Sequence, residues 1–516
     1  TACEGGPKHD TMVLNVDLAD VWEERGRKKL IRTIAWGDEV TVLKVAATHL
    51  EVGITVFREK PDGSILPESI TGYIEPTKSS GIKIATLTKP LADNQVLKVN
   101  FVDVQQGDGS VIESPDGKII LVDGGDNQMF ARYLAGRFRG TTAEKPQPID
   151  CILVTHGDAD HFAGLPEILK SETNKVKRKR LFMQPKRVYH NGIVKRPSKI
   201  NNKTVPDTKL LGPTKTVNGQ LYLTGLEDNL LDVADADMNE PFREWKNTLA
   251  TYNSRSEVAF RRLQFGDNQA FEFFNRGDLR IETLGPMTAT VGGQPALKFL
   301  GEPPKGPRIG HDSLSDSDEG FTGHSASHTI NGHSIVFRLV YGGFSFLFSG
   351  DLNDEASRTL AREHNRGNLN LRSEVFKVPH HGSADFSGAF IQAVSPIVSV
   401  VSSGDESARK EYIHPRATPM GALGKWSRVP EPLIFVTELV AFFEEEGPSR
   451  LQDEKKAKKR GPFYGFSRTA YGLVKTRTDG KRLFVYTDSG NVQMKEAYAY
   501  ALDTSGVPQP SEVTRA

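Results

Sequence analysis

A chain of 516 residues is long for one domain and points to two or more. Lys and Arg number 66 against 65 Asp and Glu, a net charge of +1, which excludes a global basic footprint for nucleic acid and leaves only local ones. Two cysteines, Cys3 and Cys151, exclude a disulfide framework, and no apolar run is long enough for a membrane-spanning helix.

The opening Thr1-Ala2-Cys3 leaves the location open: cytoplasm is the default, and a lipoprotein or secreted protein is expected if Cys3 follows a removed signal peptide. Residues 11–77 alternate in short apolar pieces: Met12 to Val16, Glu39 to Val45, Gly53 to Phe57 and Gly72 to Ile74. Turn residues Pro61, Asp62 and Gly63 fall among them, so the pattern predicts a small all-β unit. Ala19 to Trp22, Trp36 to Val40 and Gly72 to Pro76 together resemble a bacterial Src-homology-3-like barrel. That resemblance implies a module that binds a protein or peptide partner, or packs on its neighbour. Residues 78–94 read as a linker.

From Leu97 the character changes. Leu97 to Val104 reads as a strand, and Ser110 to Glu113 pairs with Ile119 to Val122 across Pro115-Asp116-Gly117. Asp123, Gly124 and Gly125 follow, then a helix around Met129 to Phe138. The apolar run Cys151 to Val154 predicts a buried strand whose end carries His156, Asp158, Asp160 and His161 within six residues. Imidazoles and carboxylates so crowded repel or stand unpaired unless a cation joins them, and these donors suit Zn, Mn or Fe. A turn that merely caps the next helix is the plain alternative; four candidate ligands at this spacing weigh against it.

Residues 175–196 are locally basic, with Lys175, Lys177, Arg178, Lys179, Arg180, Lys186, Arg187, Lys195 and Arg196. They read either as a solvated face or as a phosphate-tracking surface. Asp207 to Phe274 reads as a mostly helical, polar insertion. Residues 288–329 read as a long loop or flap, rich in Gly, Pro, Ser and Asp, with His311, His324 and His328 at the surface. A hairpin is expected from Ser334 to Val340 and Phe344 to Phe348 around Tyr341-Gly342-Gly343, running into Asp351. Two further strands, Glu374 to Val378 and Pro396 to Ser403, lead to His380-His381 and towards Ile413-His414-Pro415. Lys455 to Arg460 reads as solvated loop, and Tyr471 to Val474 with Arg482 to Tyr486 as a last hairpin.

Four strand ends thus carry metal-compatible residues: the His156 loop, Asp351, His380-His381 and His414. Bringing them together calls for two sheets packed face to face with helices outside. The pattern His156-x-Asp158-x-Asp160-His161 is similar to the signature of the metallo-β-lactamase fold. Closer still is the hydrolase domain of the DNA-uptake channel protein ComEC, echoed in order by Phe101 to Asp108, Ile120 to Gly125, Phe348 to Asp351, Phe376 to Ser383 and His414-Pro415. The resemblance implies an α/β fold, a four-layer αββα sandwich over 95–505 with insertions near 200–275 and 288–329, beside the small β-barrel at 11–77. It implies one or two divalent ions, Zn or Mn: His156 and Asp158 on the first, Asp160, His161 and His414 on the second, and Asp351 bridging. His190 is the best-placed remaining imidazole for the first ion, and His380 or His381 resembles the acid that protonates a leaving group. Asp123 is expected to orient a ligand rather than bind metal.

Such a centre, with two ions about 3.5–4 Å apart, suits in-line displacement at phosphorus. The expected function is therefore a metal-dependent phosphodiesterase on DNA, RNA or nucleotides, with His380, His381 and Asp160 as catalytic candidates. The alternatives are a cell-envelope phosphoester hydrolase resembling a phosphorylcholine esterase, and a non-catalytic binding protein on the same fold. A true β-lactamase is disfavoured by Asp158 and by the His380-His381-Gly382-Ser383 segment.

Overall fold

The structure, a computed structural model, describes residues 10–59, 65–303, 321–404, 414–437, 442–446, 463–467, 472–488 and 496–516. Expectations resting on Cys3, Pro61 to Gly63, His311, Ile413, Lys455 to Arg460 and Tyr471 lie outside the described residues. The chain divides into two compact units: one joins the segment up to Val99 with Glu113–Gly117 and Lys475–Ala516, and the other comprises Asn100–Ile112 and Lys118–Val474.

The first unit contains the expected all-β module, as a seven-stranded sheet. Its strands are Asp10–Leu14, Leu18–Glu24, Lys28–Ala35, Glu39–Val45, Leu50–Glu59, Ile65–Ile74 and Thr88–Pro90. Alternation turns Leu14, Val21, Val40, Val52 and Ile74 into one buried cluster. The stretch 78–94 is more than a connection, because Thr88–Pro90 pairs antiparallel with the first strand, Val13 opposite Lys89. Residues 475–505, expected with the hydrolase domain, cluster with this unit instead. Phe484, Tyr486 and Ala499 bury against Leu18, Trp36 and Val96, and the Arg482 guanidinium clasps the buried Asp17 carboxylate. The apolar alternation of Arg482–Thr487 marks a strand but does not say which residues will cover it.

The second unit is built on two sheets. In one, Ala259–Arg262, Arg187–His190, Cys151–Leu153 and Ile119–Asp123 run parallel, with Gly109–Glu113 next in order. Ile119–Asp123 and Cys151–Leu153 are buried at every position, as parallel strands covered on both faces must be. Leu121, Ile152 and Val188 face the helices Met129–Arg137 and Glu240–Arg255 through Phe130, Leu134, Trp245 and Leu249. The other sheet has the order Leu279–Gly285, Val336–Tyr341, Phe344–Phe348, Val375–Lys377, Val398–Val401, Leu433–Val436. The expected hairpin at Gly342-Gly343 is present, Tyr341 opposite Phe344. The outer face of this sheet, with Leu347, Phe376 and Val401, packs on Leu360, Phe390 and Leu423 from three helices, Asp354–Asn365, Gly388–Val394 and Ala417–Trp426. Between the sheets aromatic rings interleave: Phe348 lies 4.6 Å from Phe337 and 5.7 Å from Phe101, and Phe271 is 5.6 Å from Tyr189. Helix, sheet, sheet and helix thus follow one another.

Two stretches differ from expectation. Residues 207–274 are a mixture of strand and helix, not a polar helical insertion. Thr214–Val217 and Gln220–Leu223 form a hairpin extended by Gln294–Lys298, and Ala259–Arg262 is an edge of the parallel sheet. Residues 289–298 form a second hairpin and Ala326–Gly332 a helix, so the segment read as one long loop is largely structured where it is described. Glycines and polar residues masked both, because a small hairpin needs few apolar positions to pair.

Candidate metal centre

The strand Cys151–Leu153 delivers Thr155 and His156 to its buried end. The short helix Ala159–Phe162 then turns Asp160 and His161 back towards it. This loop is locked by backbone contact with neighbouring glycines. Gly124 donates to the His161 carbonyl at 2.7 Å and Gly164 to that of Gly125 at 2.8 Å. A Cβ at Gly164 would lie 2.1 Å from the Gly124 oxygen, so only glycine permits the approach. The Phe162 ring lies 4.7 Å from that of Phe242, tilted by 46°, so the helix Glu240–Arg255 braces the loop from behind.

Opposite, the strand Phe344–Phe348 ends in Ser349-Gly350-Asp351, where the Asp351 amide donates to Ser334 Oγ at 3.0 Å. Val375–Lys377 ends in the turn Pro379–Gly382, where His380 and His381 both take left-handed backbone angles, φ 51° and 53°. Such angles are costly for side-chain-bearing residues and concentrate at functional sites. The His380 amide bonds to the Gly350 carbonyl at 3.1 Å, tying the two strand ends together.

Two groups of ligand atoms result, the smaller of them Asp108, Asp123 and His161. Asp160, His161, Asp351 and His381 each offer an atom within 4.8 Å of the others. His161 Nε2 is 3.2 Å from Asp351 Oδ1, and His381 Nε2 is 3.3 Å from Asp351 Oδ2 and 3.4 Å from Asp160 Oδ2. His156 Nε2 stands 4.0 Å from Asp351 Oδ2. The Nε2 atoms of His156, His161 and His381 and Oδ1 of Asp351 are buried without a well-formed hydrogen bond. Buried polar atoms are rarely left so, and converging imidazole nitrogens with carboxylate oxygens are the donor set of a divalent cation. The residues fit the group.

Their far sides are anchored. Asp123 Oδ2 lies 2.9 Å from His161 Nδ1 and accepts the Thr155 hydroxyl at 2.7 Å, while Oδ1 accepts the Thr155 amide at 2.8 Å. Asp123 thus holds the His161 ring from its far side. His381 Nδ1 lies 3.0 Å from the Ser402 carbonyl, which fixes the proton there and turns Nε2 to the cluster. Burial works against charge throughout, yet Asp351 holds both His161 and His381 well above the ordinary imidazole value. Against the same burial, His381 and His161 hold the Asp351 carboxyl well below its usual range. Burial, with His161 beside it, pushes His156 down to about 3.

The remaining expected residues fall differently. Asp158 Oδ1 is 2.8 Å from Lys195 Nζ, and Asp158 is not in the quartet. His190 is buried with both ring nitrogens committed to backbone, Nε2 to the Asp228 carbonyl at 3.2 Å and Nδ1 accepting the Gly192 amide at 3.0 Å. It therefore has no lone pair to give a cation, contrary to expectation. His414 is half-buried, its ring 6.4 Å from that of His381; it lies near the cluster but outside the quartet, of which His381 is a member. His380 also lies outside, its ring 6.4 Å from that of His381 and its Nδ1 without a hydrogen-bond partner among the described residues. His324 is exposed as expected; His328 is buried instead, 3.3 Å from Asp385 Oδ2.

Sequence reasoning missed Asp108 and Lys377. Asp108 sits between the quartet and the Lys377 ammonium, in an ion pair with that lysine and 3.4 Å from His381 Nδ1. Both were visible as anomalies: a lysine inside the apolar strand Val375–Lys377, and an aspartate between Gly107 and Gly109. In the basic stretch, Lys175, Lys177 and Arg178 are exposed, whereas Arg187 lies over the Phe273 ring, and Lys186 and Arg196 pair with Asp150 and Asp237.

Residues 102–192 match the family model described as the metallo-beta-lactamase superfamily. Over 86 residues, 16% of the chain, the sequence is 42% identical to "Competence protein ComA" of Neisseria gonorrhoeae. Over 98 residues, 19% of the chain, it is 31% identical to "ComE operon protein 3" of Bacillus subtilis (strain 168). Each match spans 12% of the relative's own length. The chain therefore carries a metallo-β-lactamase domain with partial homology to ComEC-type proteins, which supports a hydrolase and implies binding of divalent metal.

Proposed function

We propose that the chain is a metal-dependent phosphodiesterase acting on nucleic acid or nucleotides. The observation that carries this reading is the convergence of Asp160, His161, Asp351 and His381, with His380 beside them, its Nδ1 without a hydrogen-bond partner among the described residues. A divalent cation held by that quartet would supply Lewis acidity towards phosphoryl oxygens and a water nucleophile of lowered pKa. The chain's own groups do the rest. Asp123 and the Ser402 carbonyl fix the tautomers of His161 and His381. Asp351 faces three imidazoles at once and aligns them. His380 is the group we assign to protonate the departing alkoxide, because its Nδ1 has no hydrogen-bond partner among the described residues, whereas His381 has Nδ1 on the Ser402 carbonyl and turns Nε2 to the quartet.

The competence-protein relatives and the likeness to DNA-uptake hydrolase domains favour a nucleic-acid substrate. The exposed cations Lys175, Lys177 and Arg178 add a local surface for phosphates. The test is degradation of single-stranded DNA, RNA and a cyclic dinucleotide by the full chain with Mn(II) or Zn(II), and with chelator. Metal-dependent cleavage of one of these classes supports the reading. Cleavage of none by the folded, metal-loaded chain, with turnover of a choline phosphodiester instead, would replace it with a cell-envelope phosphoester hydrolase.

A further inference from the structure

We propose that the centre holds a single divalent ion and that the Lys195 ammonium stands in for a second cation. This rests on the metal-dependent reading above. The quartet gathers four donors at one point. The second group, Asp108, Asp123 and His161, is taken up by the Lys377 ammonium, the Thr155 hydroxyl and the contact between Asp123 and His161; what remains for another ion on the metal loop is His156 and Asp158, with the Oδ2 face of Asp351. Of these, Asp158 is already neutralised by Lys195 Nζ at 2.8 Å. The nearest spare imidazole of that segment, His190, gives both nitrogens to backbone partners.

Lys195 is held for this role. The Asn191 side chain bonds to the His333 carbonyl at 2.9 Å and receives the Ile193 amide at 3.0 Å. The Lys195 carbonyl then accepts the Asn239 amide at 2.9 Å, at the N-terminus of the long helix. The lysine side chain is 32% exposed, so its ammonium can also meet an anionic oxygen from solvent. Lys377 plays a different part: 3% exposed and paired with Asp108, it serves as an internal counter-ion. Two lysines thus neutralise two carboxylates, leaving Asp160 and Asp351 to face one dication. A binuclear site would have to bring a second dication against the Lys195 charge, which electrostatics disfavours at this range.

The experiment loads the full chain with excess Mn(II), removes unbound metal by gel filtration, and counts ions per chain by plasma emission spectrometry. An electron paramagnetic resonance spectrum is recorded on the same sample. The expected result is about one ion per chain with an uncoupled Mn(II) spectrum, kept in Asp158→Asn. In Lys195→Met and Lys195→Ala the ratio should rise towards about two, with an exchange-coupled spectrum. Two ions in the wild-type chain would overturn the inference, as would loss of the ion in Asp158→Asn or an unchanged ratio in both folded Lys195 variants. No bound ion in the wild type would remove the metal-dependent reading itself, a result distinguishable from all of these.

Discussion

At the scale of single residues, the centre depends on groups that touch no substrate. Asp123 holds the His161 ring through Nδ1, and such partners set the basicity and aim of a metal-binding imidazole. Asp123→Ala is expected to weaken Mn(II) affinity by about 10–100-fold in a chelator-competition titration; unchanged affinity would deny it that role. His380 is assigned to the leaving group, so its importance should follow leaving-group chemistry. His380→Ala should slow cleavage of a dinucleotide, with its alkoxide leaving group, by about 10²–10⁴-fold. The same variant should hydrolyse bis-p-nitrophenyl phosphate nearly normally, because p-nitrophenolate departs without a proton; equal losses on both would argue for a structural role. Much of this was legible in the sequence. The cluster of His156, Asp160 and His161 announces itself by spacing, and Asp351 by its place at a strand end. The fate of His190 was not legible, because one of its two backbone partners, the Asp228 carbonyl, lies 38 residues further along the chain. Nor was the division of labour in His380-His381, which only the Ser402 carbonyl decides.

At the scale of elements, the helix Glu240–Arg255 backs the loop that carries His156 to His161. Asn239 caps it by accepting the Phe242 amide at 3.1 Å, and Phe242, Trp245, Leu249 and Tyr252 fall on one buried face. Trp245→Ala is expected to cost about 3–5 kcal/mol of stability in a urea titration of the second unit's signal; a cost below about 1 kcal/mol would mean the helix is peripheral. That helix was legible as helix, but its place in the core was not, since Asn, Arg, Glu and Lys fill its outer face. In the first unit, the turn before Glu39–Val45 carries Asp38. Burial opposes its charge, yet Arg477, Lys98 and Lys475, with the Ala35 amide, hold it below the ordinary carboxylate range. A carboxylate depressed on folding contributes stability that is present above its unfolded pKa, about 3.9, and lost as pH falls through the lower folded value. Asp38→Asn should therefore lower the melting temperature at neutral pH, with the gap to wild type closing below about pH 4. A gap that stays constant across thermal melts from neutral pH to pH 3 would contradict this.

At the scale of the whole molecule, sequence order and spatial order part company. The strands Arg482–Thr487, Ala497–Leu502 and Pro508–Ser511 belong with the N-terminal residues, fastened by Asp17 to Arg482 and to the Thr514 amide at 2.7 Å. Deleting residues 475–516 should uncover Leu18, Trp36 and Val96, seen as raised binding of a hydrophobic dye and lost solubility; a truncated chain that melts like the full one would contradict the partition. The layered α/β architecture was legible because its strands are short, apolar and end in chemistry-bearing residues. Pairing across nearly five hundred residues was not, because strand alternation is the same whichever partner it meets. The central claim, that these layers converge on a metal-dependent phosphodiesterase, is tested most directly by the initial rate of bis-p-nitrophenyl phosphate hydrolysis with saturating Mn(II) or Zn(II), wild type against Asp351→Ala. The account predicts metal-dependent release that chelator abolishes and that Asp351→Ala, folded by circular dichroism, fails to show. Release unaffected by chelator or by the Asp351 change, or no release with any metal, would contradict it.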